Sequence, residues 1–258
     1  MARDLGRVGA ILIFGGLLAG AAAGPVLAEP GQPTPAALVS LVDGLEQAAN
    51  AQDLATVIAF YSADFSHGDG FDRNSYEAAL AALWQAYPQL TYDVALVSWE
   101  ATTEGGFITE TVTQISGTRF ERGRDYTLTA EIQSRQRVVN GQITDQEILS
   151  EQTRLVAGAN PPTVVLNIPK QVSPGDRYPF DAIVQEPLGN QRLLGQVVDE
   201  GVTATDFMVP RPVDLEPLAA GGLFKIGNAP DSPDQRWISS VLVRSDGWVI
   251  DTRRLNVA

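Results

Sequence analysis

The chain has no cysteine and only one histidine among its 258 residues. Without cysteine it cannot form disulfide bonds, use a thiol nucleophile or hold a cysteine-ligated zinc or iron–sulfur site. The single histidine, His67, would have to serve any serine triad, yet no Gly-x-Ser-x-Gly elbow occurs. Lysine is also scarce, and neither Lys170 nor Lys225 belongs to a glycine-rich phosphate loop, so nucleotide chemistry is disfavoured. We therefore expect no cofactor.

Positive charge is also in short supply. The chain has 18 Lys and Arg against 31 Asp and Glu, which gives a formal net charge of -13 at pH 7. Phosphate backbones and anionic lipid repel such a protein, so we expect no nucleic-acid partner. The acidic residues form either a solubilising surface or a docking face for a basic protein partner.

Residues 1–28 have the pattern of a secretory signal peptide. Arg3 and Arg7 precede an apolar run over 8–24, and small residues end at Ala28. The run falls just short of the roughly 18 to 20 residues that span a bilayer. We predict cleavage and export to the periplasm or an equivalent extracytoplasmic compartment, with no membrane span in the mature protein. A retained N-terminal anchor is the alternative.

The first half, residues 36–157, changes from helical to strand periodicity. Three amphipathic helices are predicted, the first capped by Thr34 and the second by Asp53. Asn74 and Glu77 resemble a capping box at the start of the third.

From Leu90 to Val156 the apolar residues alternate, which predicts four strands. Asn140-Gly141 is a strong hairpin-turn signal between the last two strands. Three helices followed by an antiparallel meander make an α+β domain.

The second half is predicted to be all β. Residues 158–162 read as a linker, because paired prolines continue neither a strand nor a helix comfortably. Residues 163–258 contain short strands separated by turns such as Ser173–Asp176. This pattern suggests a small antiparallel sandwich.

The run Ala48–Leu90, "AANAQDLATVIAFYSADFSHGDGFDRNSYEAALAALWQAYPQL", resembles the nuclear-transport-factor-2-like superfamily, which includes SnoaL-like cyclases and ketosteroid isomerases. It has the N-x-x-D link between the first two helices, here Asn50–Asp53. It also has the Y-x-x-D that follows the second helix, here Tyr61–Asp64. The resemblance implies a cone-shaped domain over 36–157, with three helices on a curved antiparallel sheet and a pocket between them.

Residues 168–184, "IPKQVSPGDRYPFDAIV", resemble the immunoglobulin-like sandwiches of exported bacterial proteins. The order of the two halves also resembles a two-domain exported bacterial family. The predicted fold class is therefore an α+β cone-shaped domain followed by an all-β immunoglobulin-like sandwich over residues 163–258.

The resemblance also implies a position for a catalytic base. In the ketosteroid isomerases an aspartate abstracts a proton while a tyrosine and a protonated aspartic acid hold the enolate oxygen. Aligning Tyr61 and Asp64 with the family pattern puts Asp69 at the base position. It puts Leu45 in place of the tyrosine and Gln133 in place of the acid. Because losing one oxyanion donor costs about a hundred- to a thousandfold in rate, we expect this mechanism to be absent. The dehydratases of the superfamily need two histidines, and this chain has one.

Asp69 and His67 remain candidate acid/base residues, each with a plainer interpretation. Asp69 lies between two glycines and fits a turn. His67 alternates with Phe65 and Asp69 and could share a pocket-facing side with the carboxylate, or it could be a surface histidine. Asp72 and Asn74 add oxygen ligands nearby, but their spacing is not that of an EF-hand, so we predict no metal site.

A ligand pocket in the first half would draw on aromatic and polar residues. Ser134 and Gln136 continue the apolar face of the predicted strand over 126–138. Gln133 is an odd-numbered position, so its side chain is predicted on the opposite face of that strand. The aromatic candidates are either pocket lining or plain core. The predicted binding residues are Tyr61, Trp84, Tyr92, Trp99, Ser134 and Gln136.

Together these features predict an exported, non-enzymatic binding or assembly protein. Its first half would bind an apolar small molecule or a protein, and its second half would dock to an envelope component. The sheet face could also form a homodimer. The alternative is a small-molecule isomerase, cyclase or hydratase that uses Asp69 as its base, with or without His67.

Overall fold

A computed structural model describes residues 33–121, 123–189, 191–204, 212–218 and 221–258. The predicted signal peptide, residues 1–28, lies outside the described residues. About 56% of the described chain is in strands and 16% in helices. The predicted fold class, an α+β cone followed by a separate sandwich, is therefore wrong, and the fold is mostly β.

Three helices lie in the first half: α1 (Ala36–Asn50), α2 (Leu54–Ala59) and α3 (Arg73–Ala86). Asp53 caps α2 as predicted, because its carboxylate accepts a hydrogen bond from the Thr56 N–H. The other two predicted caps were wrong. Helix α1 follows Pro35 without a side-chain cap. Helix α3 is capped by Asp72, which exchanges hydrogen bonds with Ser75 in a capping box.

Thirteen strands lie within the described residues: β1 (Tyr61–His67), β2 (Leu90–Ala101), β3 (Phe107–Glu121), β4 (Arg124–Val139), β5 (Gln142–Gly158), β6 (Val164–Asn167), β7 (Gln171–Val172), β8 (Arg177–Val184), β9 (Leu194–Gly201), β10 (Glu216–Pro217), β11 (Gly222–Asn228), β12 (Asp234–Val243) and β13 (Gly247–Val257). Strands β2 to β5 form the antiparallel meander that the alternation predicts. The turn between β4 and β5 has the positive φ angles expected of an Asn-Gly hairpin, 52° at Asn140 and 77° at Gly141.

One sheet passes through both halves of the chain. Its ten strands include the path β10-β9-β12-β13-β5-β4-β3-β2, with β1 on β5 and β7 on β13. The joining pair is β5 with β13, in register from Gln152 opposite Arg253 to Gly158 opposite Gly247. This pairing overturns the predicted fold class, because the second half contributes strands to the sheet of the first. Local periodicity could not show it, since the paired strands lie almost a hundred residues apart in the sequence.

The sheet carries a hydrophobic core on each side. On one side, called the inner face, the three helices pack against β1 to β5, and Trp237, Trp248 and Ile250 from β12 and β13 extend this core. On the other side a three-stranded sheet, β11-β8-β6, covers β12 and β13 through residues such as Val249 and Leu255. Strand β13 therefore buries alternate residues in two cores.

Among the described residues, no helix has the length and apolar character needed to cross a membrane.

Candidate functional site

The sequence-predicted acid/base residues lie where β1 turns toward α3. The predicted turn is present, because the Gly70 N–H donates to the His67 carbonyl at 2.8 Å and Gly70 has φ +83°. The turn nevertheless does not expose its side chains. His67 is 6% exposed and Asp69 7%. The interpretation of His67 as a surface histidine was therefore wrong.

Asp69 is bound by an arginine from the second half of the chain. Arg254 donates from Nη1 to Asp69 Oδ1 at 3.0 Å and from Nη2 to Oδ2 at 2.7 Å. Its Nη2 also lies 3.3 Å from Oε2 of Glu151. We call Asp69, Glu151 and Arg254 the charge trio, and all three are buried. Because the guanidinium engages both oxygens of Asp69, this carboxylate is poorly placed to abstract a proton.

Glu151 is the less completely neutralised acid of the charge trio. Its Oε2 accepts a hydrogen bond from Trp237 Nε1 at 2.8 Å and lies 3.4 Å from Arg254 Nε. Its Oε1 is buried and accepts no hydrogen bond from any residue that the structure describes. Burial raises the pKa of Glu151, while the Arg254 charge and the Trp237 N–H oppose that rise.

His67 lies beside the charge trio in an aromatic environment. Its ring packs edge-on against Phe71, with ring centroids 4.9 Å apart, and its Nδ1 accepts a hydrogen bond from the Asp69 N–H at 3.2 Å. Burial lowers the pKa of His67 to about 4, with the Asp69 charge opposing and the Arg254 charge adding to that shift. The imidazole is therefore neutral at pH 7.

Four buried polar side chains share the inner face of β4 and β5. Ser134 Oγ, both amide atoms of Gln146, Glu151 Oε1 and Thr153 Oγ1 have no hydrogen-bond partner among the described residues. We call these four residues the inner polar cluster. Along β5 they occupy a row of inward positions, in which Gln146 precedes Ile148, the residue opposite Ser134, and Glu151 and Thr153 follow. A concentration of unpaired buried polar atoms on one face is unusual in a folded protein.

Three cavities lined by described residues lie along β4 and β5. The largest, about 220 Å³, is lined by His67, Gln136 and Gln146 together with charged residues of β4 and β5. A second, about 200 Å³, adjoins Glu151 and Arg254 beneath the segment 166–170. The third lies between α1 and the sheet and is only about 20 Å³, room for one water molecule. All three are smaller than the roughly 300–1,000 Å³ pockets of drug-sized ligands.

The structure separates the six predicted binding residues. Tyr61 and Tyr92 are buried in the core, and the Trp84 indole N–H donates to the Tyr92 hydroxyl at 2.8 Å, which satisfies both groups. Trp99 is half-buried against Phe107. The remaining two are on the inner face.

Ser134 belongs to the inner polar cluster. Gln136 lines two of the cavities and is hydrogen-bonded to Thr109 and Thr111. Gln133 is half-buried with its side chain on the opposite face, as its parity indicates. Leu45 lines the small cavity.

Glu151, Arg254 and Trp237 were not among the predicted site residues. A signal was available for the two charged residues. Glu151 shares the inward parity of Leu155 on β5, and Arg254 shares that of Ile250 on β13. A charged residue at an inward position of a strand needs a buried partner, and Arg254 contacts Glu151 as well as Asp69.

Among the residues that the structure describes, metal ligands do not come together. Within the part of the chain that it describes, no three Asp, Glu or His side chains are arranged to hold a metal ion. Asp69 is paired with Arg254, and Asp72 caps α3.

Comparison with known proteins gives little further information. A family model described as "Domain of unknown function (DUF8623)" matches residues 159–258, less than half of the chain. No curated protein matches the chain. Among solved structures, the chain is similar to the "Crystal structure of IdmH 96-104 loop truncation variant". That match has 19% identity and a TM-score of 0.32, and it covers 43% of this chain and 90% of that one. A likeness at this level identifies neither a fold nor an activity.

Proposed function

We propose that the chain is a non-enzymatic binding protein whose ligand is a small molecule held at the inner polar cluster. The observation that carries the proposal is the set of unpaired atoms on Ser134, Gln146, Glu151 and Thr153. Each buried polar group without a partner costs about 1–3 kcal/mol of stability. A ligand that supplies hydrogen bonds to these atoms would recover that cost on binding.

The surroundings of the cluster support a ligand that is mostly apolar with one polar end. Ile132 and Ile148 are buried on the same face, opposite Glu151 and Ser134 respectively in the strand register. The cavity of about 220 Å³ reaches Gln146 and the cavity of about 200 Å³ reaches Glu151, and both are smaller than the pocket of a typical drug-sized ligand. The proposed ligand differs from the apolar ligand predicted from the sequence in one respect, because it carries a hydrogen-bonding group at one end.

The geometry favours binding over proton abstraction by Asp69. Its two carboxylate oxygens accept hydrogen bonds from Arg254, so it has no oxygen directed at a substrate. Leu45 cannot donate to an oxyanion, and Gln133 is on the opposite face of the sheet from the cluster. The resemblance to ketosteroid isomerases thus supplies a position for a base without the groups that would make it effective.

Export forms part of the proposal and rests on residues 1–28. A cleaved signal would give a mature chain beginning near Glu29, and intact-mass measurement of the protein from its own cells tests this. Retention of the first 28 residues would favour the anchor instead.

A homodimer is less well supported than a small-molecule ligand. A homodimer through the outer face of β3 to β5 would have to cover Arg135, which pairs with Glu110 at 2.8 Å and with Glu147 at 3.5 Å. Desolvating these ion pairs would oppose association.

The experiment compares two glutamine-to-leucine variants on opposite faces of the sheet. Gln146→Leu removes an unpaired buried amide, so the ligand-free protein should gain about 1–3 kcal/mol in free energy of unfolding. The same change should lower ligand occupancy at least tenfold. Gln133→Leu is the matched control and should change neither quantity appreciably. Urea unfolding measures stability, and native mass spectrometry of protein purified from its own cells measures occupancy.

Two results would contradict the proposal. One is a native spectrum with no ligand mass together with no stabilisation by the small-molecule fraction of the same cells. The other is loss of stability in Gln146→Leu with unchanged occupancy, which would make Gln146 a structural residue.

A further inference from the structure

The cavity of about 200 Å³ beneath the segment 166–170 has both charged and apolar walls. Its charged lining residues are Glu131, Glu151, Lys170, Arg253 and Arg254. Its apolar wall is formed by Leu166, Ile168 and Pro169. A cavity of about 150 Å³ already holds benzene in another protein, so this one has room for a six-membered ring with a small substituent.

Arg253 lines this cavity from the outer face of the sheet, opposite the helices. It shares the strand parity of Leu255, which packs in the core on that side. Its Nη1 donates hydrogen bonds to Asp251 Oδ1 and to the Thr252 carbonyl. Within the part of the chain that the structure describes, its Nε and Nη2 donate to no other residue. These two N–H groups form the edge of a guanidinium that binds a carboxylate through two parallel hydrogen bonds.

Asp251 does not fully neutralise Arg253, because it also binds Arg154. Asp251 is buried, and its Oδ2 accepts a hydrogen bond from Arg154 Nε at 3.0 Å while its Oδ1 accepts from Arg253. Burial lowers the pKa of Arg253 and the Asp251 charge opposes that shift, but arginine stays protonated at pH 7. Two guanidinium groups thus share one carboxylate, which leaves an excess of one positive charge.

Lys170 brings a further positive charge to the cavity. It forms no ion pair with any residue that the structure describes. The two acidic lining residues are already engaged with other partners. Glu151 belongs to the charge trio, and both oxygens of Glu131 accept hydrogen bonds, one from Gln114 and one from Gln152. The donors left for a ligand are therefore cationic.

We propose that this cavity binds a small carboxylate with an apolar body. The carboxylate accepts hydrogen bonds from Nε and Nη2 of Arg253, and Lys170 adds a second cation beside it. The apolar body packs against Leu166, Ile168 and Pro169. The site goes beyond the proposed function, because Arg253 is on the opposite face of the sheet from the inner polar cluster.

Two probes with the same ring, benzoate and benzamide, test this proposal. Titration calorimetry of the full chain should show that benzoate binds at least about tenfold more tightly than benzamide, because only benzoate forms charge-assisted hydrogen bonds with Arg253. Benzylammonium, which has the opposite charge, should bind no more tightly than benzamide. Equal affinities for benzoate and benzamide, or no binding of benzoate, would overturn the proposal.

The only two lysines of the chain provide a matched pair of variants. Lys170→Gln removes a charge that lines the cavity and should weaken benzoate binding by about threefold or more. Lys225→Gln removes the same charge from an exposed position on β11, outside the cavity lining, and should leave benzoate affinity unchanged. Equal effects of the two changes would mean that benzoate responds only to the overall charge of the protein, which contradicts a site at this cavity.

Arg253→Lys tests the hydrogen-bonding edge separately from the charge. The variant keeps the positive charge but loses the planar pair of donors, so benzoate should bind at least about tenfold more weakly. Unchanged affinity would show that Arg253 does not hold the carboxylate. If the variant fails to fold, the ranking of benzoate and benzamide and the two lysine variants still decide the question.

Gln146→Leu distinguishes this site from the inner polar cluster. It should leave benzoate affinity unchanged, and loss of benzoate binding would place benzoate at the inner polar cluster and overturn the proposal. Conversely, the expected pattern in the lysine and arginine variants supports the carboxylate site even if protein from its own cells retains no ligand and the proposed function fails.

Discussion

His67 is a buried base whose protonation opposes folding. Burial holds its pKa at about 4, against 6.5 in an unfolded chain. Between these values the unfolded chain binds a proton that the folded protein does not, so stability falls as the pH drops below 6.5. The loss is complete below about pH 4, where both forms are protonated.

A substitution isolates this effect from the other titrating groups. Between pH 7 and 5 the wild-type protein should lose about 2 kcal/mol more free energy of unfolding than His67→Asn, which has no titrating ring. Glu151, whose pKa burial raises, changes stability in the opposite direction but is present in both proteins. Urea unfolding at each pH measures the difference. Parallel pH profiles would show that His67 is not a neutral buried base.

At the scale of elements, the Asp69–Arg254 ion pair joins the turn after β1 to strand β13. Arg254→Met would leave Asp69 and Glu151 buried without a counter-ion. Losing one partner of a buried pair typically costs about 3–5 kcal/mol. Arg135→Met is the control, because the Arg135 side chain is nearly half exposed and its ion pair with Glu110 is worth at most about 1 kcal/mol. Urea unfolding compares the variants, and equal losses in both would contradict the assignment of the charge trio as buried.

Elements that depend on local pattern could be predicted from the sequence. The periodicity indicates three helices, and Leu38, Leu41, Val42 and Leu45 are all buried on one face of α1. The meander β2–β5 and its Asn140-Gly141 turn were predicted for the same reason. The error at α3 was small, because Asp72 and Asn74 both have side chains that can cap a helix.

Elements that depend on distant partners could not be predicted. The pairing of β13 with β5 joins strands whose apolar alternation also fits a separate sandwich. The burial of Asp69 depends on Arg254, which lies 185 positions away. Asp-Gly in a local window indicates only a turn, which is present, and it gives no sign of the distant arginine that binds the buried carboxylate.

At the scale of the whole molecule, the shared sheet predicts cooperative unfolding. The inner core contains residues of both halves, and β13 contributes to both cores. We expect one calorimetric transition with equal calorimetric and van't Hoff enthalpies. Two separate transitions would instead support the predicted division into domains at 36–157 and 163–258, which remains a prediction.

The pairing of β5 with β13 also determines when the sheet can finish folding during synthesis, because β13 is the last strand to be translated. Arg154 on β5 meets Asp251 on β13 across 97 positions of sequence. At about 5–20 residues per second, the ribosome needs roughly 5–20 s to make that interval. During this time β5 has an open edge over residues 152–158, where β13 will pair, and Arg254 is not yet present to bind the Asp69 carboxylate. The first half of the chain therefore reaches its final structure only after β13 has been translated.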